Sequence, residues 1–192
     1  MRKVTGIYGG SFNPIHEGHV LLAKSLADSG LVDEMWLLVS PQNPFKVNSD
    51  LLDDEERLRL ARLAVSDVPG VEVCDREFRL PRPSYMYNTL EALSREHPDR
   101  EFVLVIGADN WERFSDWYRS KAILSTYRII IYPRPGYELR RVPRRVTVAD
   151  TPLLSVSSTE IRRRIASEPD YSGQGLPPAV WKEIKAKGLY VS

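Results

Sequence analysis

Apolar residues in this chain come in short, mostly unbroken runs rather than in strict alternation. Such runs occupy residues 4–8, 35–39, 71–74, 102–106, 128–132 and 146–149. Continuity of this kind marks strands whose two faces are both covered, as in a parallel sheet. Between them, residues 18–29, 53–66, 87–96 and 116–124 carry helical patterns. Asp53, Asp54, Glu55 and Glu56 open the second of these, where acids complement the helix dipole. Pro69-Gly70 and His97-Pro98-Asp99 punctuate helix ends. Strands and helices alternating with right-handed crossovers build an α/β protein with a doubly wound, mostly parallel sheet. Beyond the last strand, residues 157–169 and 177–190 read as two more helices, the second led by Pro177 and Pro178. Residues 132–145 are too rich in Pro, Gly and Arg for a regular element and are predicted to be an exposed loop.

The length of 192 residues fits one domain, 1–192, whose C-terminal helical part starts near 157. A net charge of +1 lacks the basic excess of a dedicated nucleic-acid binder. The arginines between 134 and 145 lack the interleaved aromatics of a stacking platform, so no nucleic-acid partner is expected. Cys74 is the sole cysteine, which excludes an intramolecular disulfide and a four-cysteine zinc site. No apolar run approaches the ~18 residues of a membrane span, and the N-terminal stretch turns polar too early for a signal peptide. These features predict a cytoplasmic protein without a membrane partner, and leave a homo-oligomer open.

The first strand runs into Gly9-Gly10-Ser11-Phe12-Asn13-Pro14-Ile15-His16-Glu17-Gly18-His19 and then into a helix. Open α/β sheets bind ligands at such carboxyl ends of strands. Gly9 and Gly10 allow a sharp turn and close approach of backbone to ligand. A helix N-terminus offers unpaired N–H groups to phosphate. Neither G-x-x-x-x-G-K-[ST] nor G-x-G-x-x-G is present. His16 and His19 stand instead at a spacing that turns both rings to one side, where they could hold phosphate oxygens and, as imidazolium, offset growing charge. No H-E-x-x-H or cysteine partner completes a zinc site, and no protein metal site is expected.

A second cluster, Ser157-Ser158-Thr159-Glu160-Ile161-Arg162, opens the first C-terminal helix. Ser157 and Glu160 have the spacing of a capping box. Hydroxyls at a helix start beside an arginine also make an anion site. Arg163 and Arg164 are expected to be solvated.

GGSFNPIHEGH resembles the G-x-F-x-P-x-H-x-G-H signature of the nucleotidyltransferase superfamily, which includes nicotinate-nucleotide adenylyltransferases. The resemblance covers nearly the whole chain and implies a Rossmann-like domain in which His16 and His19 contact ATP phosphates. Gly9, Gly10, Ser11 and Phe12 would form the rest of that loop. Asn13 stands where Asp is usual. Residues 156–162 resemble the family's I-S-S-T-x-I-R run, with Val156 for Ile, so that Ser157, Ser158, Thr159 and Arg162 would also bind ATP.

Three further segments bear on the second substrate. Ser84-Tyr85-Met86-Tyr87-Asn88-Thr89-Leu90 resembles S-Y-T-x-x-T-L, with Met86 for Thr. Gly107-Ala108-Asp109 followed by Trp117-Tyr118 resembles G-A-D…W, and Pro41 to Lys46 resembles P-x-x-x-P-x-K. The resemblance implies a pyridine ring stacked on Trp117, its carboxylate held by backbone N–H groups near Tyr85, Met86, Thr89 and Tyr118. Asp109 would bond a ribose hydroxyl, and Arg134 would reach nucleotide phosphate or adenine. The implied reaction joins nicotinic acid mononucleotide to the adenylyl group of ATP, with Mg2+ accompanying ATP. His16, His19, Lys46 and Arg162 would offset charge. Nicotinamide mononucleotide or phosphopantetheine as acceptor, or a non-catalytic nucleotide-binding domain, are the competing readings.

Overall fold

The computed structural model describes residues 1–41, 51–139, 141–152 and 155–191. Its six strands are β1 (Lys3–Gly10), β2 (Glu34–Val39), β3 (Val71–Cys74), β4 (Arg100–Gly107), β5 (Arg128–Tyr132) and β6 (Val146–Val148). They form one sheet in the order β3-β2-β1-β4-β5-β6, and every pairing is parallel. The order reverses between β1 and β4, so a crevice opens beyond their carboxyl ends, where such sheets take ligands. The apolar runs at 4–8 and 102–106 extend at both ends as strands, because backbone pairing continues where side chains stop being apolar.

The helices are α1 (Glu17–Asp28), α2 (Asp54–Val65), α3 (Met86–Glu96), α4 (Ala108–Glu112), α5 (Ser120–Thr126), α6 (Ser158–Ser167) and α7 (Pro178–Lys187). Along β2 the side chains alternate between two apolar layers. Met35, Leu37 and Val39 pack with Leu22 and Leu26 of α1, Leu60 of α2, Ile161 of α6 and Ile184 of α7. Trp36 and Leu38 face Leu90 and Leu93 of α3 and Ile123 of α5. Both faces are covered, which is why the strands read as continuous apolar runs. Asp53 caps α2 through its side chain, which accepts from the Glu55 amide at 3.0 Å, in line with the acidic opening read from the sequence. Residues 133–139 and 141–145 are mostly exposed and form no regular element.

The helix expected over 116–124 is not continuous. A short 3₁₀ turn, Phe114–Asp116, ends at an extended Trp117, and α5 begins after Arg119, whose φ of 54° is left-handed. Buried Phe114 and Ile123 anchor the two sides of this break. The break takes Trp117 and Tyr118 out of a helix and puts them on a turn.

Candidate active site

β1 ends at Gly10, and the chain then turns through Phe12, which is buried and has a φ of 46°. A Cβ on Gly10 would lie 3.0 Å from the Phe12 ring, so glycine is what lets the loop fold back this tightly. His16 is the N-cap residue of α1 and His19 sits in its first turn. Their rings stack with centroids 3.6 Å apart and planes inclined by 22°. The His16 amide donates to Nδ1 of His19 at 3.2 Å, which leaves Nε2 of His19 to carry that ring's proton. A side chain at Gly18 would come within 3.0 Å of the His16 ring, so glycine leaves the pair room.

Burial, reinforced by the charge of Arg134, lowers the pKa of His16 from 6.5 to about 4. Burial holds His19 well below its usual value too, aided by His16 and Arg134. Near neutral pH both rings are therefore neutral donors in the protein alone. This corrects the expectation of an imidazolium: the fixed positive charge here is on the arginines.

The two distant sequence clusters meet. Ser158, first residue of α6, donates its hydroxyl to the Pro14 carbonyl at 2.9 Å. Arg162, one turn later, donates to the Asn13 carbonyl at 2.7 Å. Asn13 also accepts through Oδ1 from the hydroxyl of Tyr190 at 2.8 Å and the amide of Leu52 at 3.2 Å. An amide serves those acceptor bonds as an aspartate would, without burying a charge. Around this junction opens a cavity of about 610 Å³, bordered by Gly10, His16, His19, Arg134, Thr159 and Arg162 among others. Gly9, Ser11, Phe12, Ser157 and Ser158 also border it. The expected capping box is absent: the Ser157 side chain makes no cap bond, and Glu160 pairs with Arg163. Arg164 is not simply solvated, since it pairs with Glu168 at 2.9 Å and lies over the Tyr171 ring.

A second cavity, about 250 Å³, adjoins the first beyond β1 and β4. Tyr85, Met86, Trp117 and Tyr118 line it, with Tyr85 and Tyr118 rings 4.9 Å apart at its exposed edge. Met86 is the first residue of α3, so its amide has no carbonyl four residues back within the helix. The Met86 side chain packs toward Gly9, whose added Cβ would meet its terminal carbon at 3.0 Å. Tyr8, Gly9, Gly10, Asn110 and Tyr132 border both cavities and mark where they join. Asp109, in the first turn of α4, borders the larger one and lies 3.5 Å from the Arg134 guanidinium.

Thr89 does not border either cavity. It is fully buried, and its hydroxyl donates to Glu77 at 2.9 Å. Glu77 itself reaches the smaller cavity and is pushed above the usual carboxylate range by burial, against hydrogen bonds from Ser40 and Thr89. The hydroxyl in the S-Y-x-x-x-T segment thus supports the wall rather than the ligand. Lys46 and residues 42–45 of its loop lie outside the described residues. The sequence reading missed Glu77, Ser84, Asn110, Arg113, Tyr132 and Tyr137, all of which border a cavity. Asn110 and Tyr137 adjoin residues that were singled out, at Asp109 and Arg134. Ser84 opens the S-Y-T-x-x-T-L segment, and no pattern marked Glu77, Arg113 or Tyr132. Among the described residues, no three His, Cys, Asp or Glu side chains group to hold a metal ion, and no helix is long and apolar enough to cross a membrane.

A family model described as cytidylyltransferase-like matches residues 7–164. A protein of Bacteroides fragilis named as a probable nicotinate-nucleotide adenylyltransferase is 48% identical over 182 residues, covering 94% of this chain and 90% of the relative. One of the same name from Flavobacterium johnsoniae is 38% identical, covering 96% and 97%. Among solved structures, the Plasmodium falciparum nicotinic acid mononucleotide adenylyltransferase complexed with NaAD has the same fold. Its TM-score is 0.82 at 20% identity, with 98% of this chain and 97% of the other covered.

Proposed function

This chain belongs to the cytidylyltransferase-like family and, within it, to the nicotinate-nucleotide adenylyltransferases, and from that membership we propose that it joins ATP to nicotinic acid mononucleotide. The products are nicotinic acid adenine dinucleotide and pyrophosphate, a step of NAD biosynthesis. One observation carries the reading: two adjoining cavities meet at the ends of β1 and β4, one lined by paired imidazoles and arginines, the other by Trp117.

The larger cavity takes ATP. His16 and His19, Ser158, Thr159 and the Arg162 guanidinium surround the triphosphate, and Ser157 and the Gly9–Phe12 turn complete the wall. Asp109 bonds a ribose hydroxyl, and Arg134 reaches phosphate or adenine. ATP would bring Mg2+, which when bound would screen charge on the triphosphate; among the described residues no group of three His, Cys, Asp or Glu side chains stands ready to hold it.

The smaller cavity takes the mononucleotide. Its flat cationic ring lies on the indole of Trp117, a contact worth on the order of 1–2 kcal/mol. Donors alone select a carboxylate over an amide, because a carboxylate donates no hydrogen bond. The Met86 amide, which at the start of α3 has no carbonyl of its own helix to bond, is such a donor, so the missing threonine hydroxyl is not needed. Tyr85 and Tyr118 close the outer side.

The mononucleotide phosphate attacks the α-phosphorus of ATP in line. Its oxygen is already anionic, so no general base is required, and positioning and charge neutralisation supply the acceleration. Arg162 and Lys46 are the proposed neutralising groups, and His16 and His19 act beside them as neutral hydrogen-bond donors to the developing charge.

Pyrophosphate release, measured with nicotinic acid mononucleotide, nicotinamide mononucleotide and phosphopantetheine as parallel acceptors, tests the reading. The expected order puts nicotinic acid mononucleotide first by at least ~10-fold in kcat/KM. Equal or greater activity with either other acceptor overturns it, and ATP binding without release from any acceptor makes the chain a nucleotide-binding domain.

A further inference from the structure

Arg57 lies in α2, outside both cavities, yet it is completely buried. All of its donor groups are engaged. Nε donates to the Leu52 carbonyl at 3.0 Å. Nη1 donates to the carbonyls of Ser11 at 2.6 Å and Ser40 at 2.8 Å. Nη2 donates to the Pro41 carbonyl at 3.3 Å and to Asp54 at 2.5 Å. The second oxygen of Asp54 pairs with Arg82 at 2.8 Å.

These partners are the segments that build the two cavities. Ser11 borders the larger cavity and Ser40 the smaller. Arg82 lies just before Ser84 and Tyr85, which border the smaller cavity. A buried guanidinium is costly unless paired and fully hydrogen-bonded. A leucine at this place would fill the interior without that cost. What the arginine adds is a planar fork that fixes several carbonyls at set distances and angles.

We infer that Arg57 is a positioning residue for the two-substrate reaction: it locks the Ser11 turn to the Ser40–Pro41 segment, and through Asp54 to the Arg82 segment, so that the two bound phosphates meet in line. The assignment rests on the proposed adenylyl transfer. It touches neither substrate. In-line transfer tolerates little error, and a misplacement of about 1 Å costs on the order of 100-fold. Lysine keeps the charge but offers one nitrogen in place of the fork, so it cannot hold the two segments together.

The test uses the Arg57→Lys chain, with Asp54→Ala as a second variant whose partly exposed position threatens folding less. Turnover with both substrates is measured beside the Kd of each substrate alone, with circular dichroism as the check on folding. The expected result is kcat lowered by about 10- to 100-fold in Arg57→Lys and by a smaller factor in Asp54→Ala, with each single-substrate Kd within about 3-fold of wild type. If Arg57→Lys does not fold, Asp54→Ala decides by the same criteria. An unchanged kcat overturns the assignment, and so does a loss of turnover matched by an equal loss of single-substrate binding, which marks general damage. A wild-type chain that makes no dinucleotide overturns the activity, and the assignment falls with it. An active wild type with an equally active variant overturns the assignment alone.

Discussion

Nδ1 of His19 accepts the backbone amide of His16 at 3.2 Å, so one histidine's main chain sets the tautomer of the other's ring. With Nδ1 occupied, the Nε2 proton of His19 is the one that can be offered to a ligand. His19→Ala removes that donor and leaves the His16 amide without its partner. Turnover should fall by about 10²–10³, the scale for losing one well-aimed stabilising group. Steady-state kinetics on the folded variant decide the matter, and an undiminished kcat removes His19 from the mechanism.

Acid should destabilise the unliganded protein through the same pair. The unfolded chain takes up a proton on each histidine as pH falls through about 6.5. The folded chain protonates His16 only near 4, and His19 also well below its usual value. Lowering the pH across that window therefore removes stability, by up to about 1.4 kcal/mol per pH unit for each histidine. Glu77 works in the opposite direction, because its folded pKa is raised by burial, and it is common to wild type and variant. Thermal melts of wild type and His16→Gln from pH 7 to 5 should show a shallower loss in the variant. Parallel curves would mean that His16 is not held neutral by burial.

Thr89→Val separates support from contact. The change keeps the shape but strips Glu77 of a buried donor, and leaving such an acceptor unpaired costs about 1–3 kcal/mol. The melting temperature should drop. KM for the mononucleotide should rise while KM for ATP stays within about 2-fold, because Glu77 borders only the smaller cavity. A change in KM for ATP alone would contradict this placement.

How legible the chain was depends on what each residue answers to. The strands could be read because both faces of β2 are buried, one by Met35 and Leu37 and the other by Trp36 and Leu38, which forces unbroken apolar runs. His16, His19 and residues 157–162 could be read because their spacing at helix starts already limits what they can do. The break before α5 could not, since an extended Trp117 and a left-handed Arg119 interrupt a sequence whose pattern is otherwise helical. The role of Thr89 was hidden for a different reason: its hydroxyl looks the same in sequence whether it meets a ligand or a buried carboxylate. The walls at Tyr132 and Glu77 come from the end of β5 and from a short 3₁₀ turn, Arg76–Arg79, which only the folded sheet brings side by side. Arg57, on a helix of mixed charge, resembles any solvated arginine until its carbonyl partners are known.

The central claim is that one dinucleotide spans both cavities across the ends of β1 and β4. Determining the crystal structure of the chain with nicotinic acid adenine dinucleotide tests it most directly. The expected complex has the pyridine ring on Trp117 near the Met86 amide, and the adenylyl half in the cavity of His16, His19 and Arg162. A pyridine ring bound away from Trp117, or an adenylyl group bound away from both histidines, would contradict it.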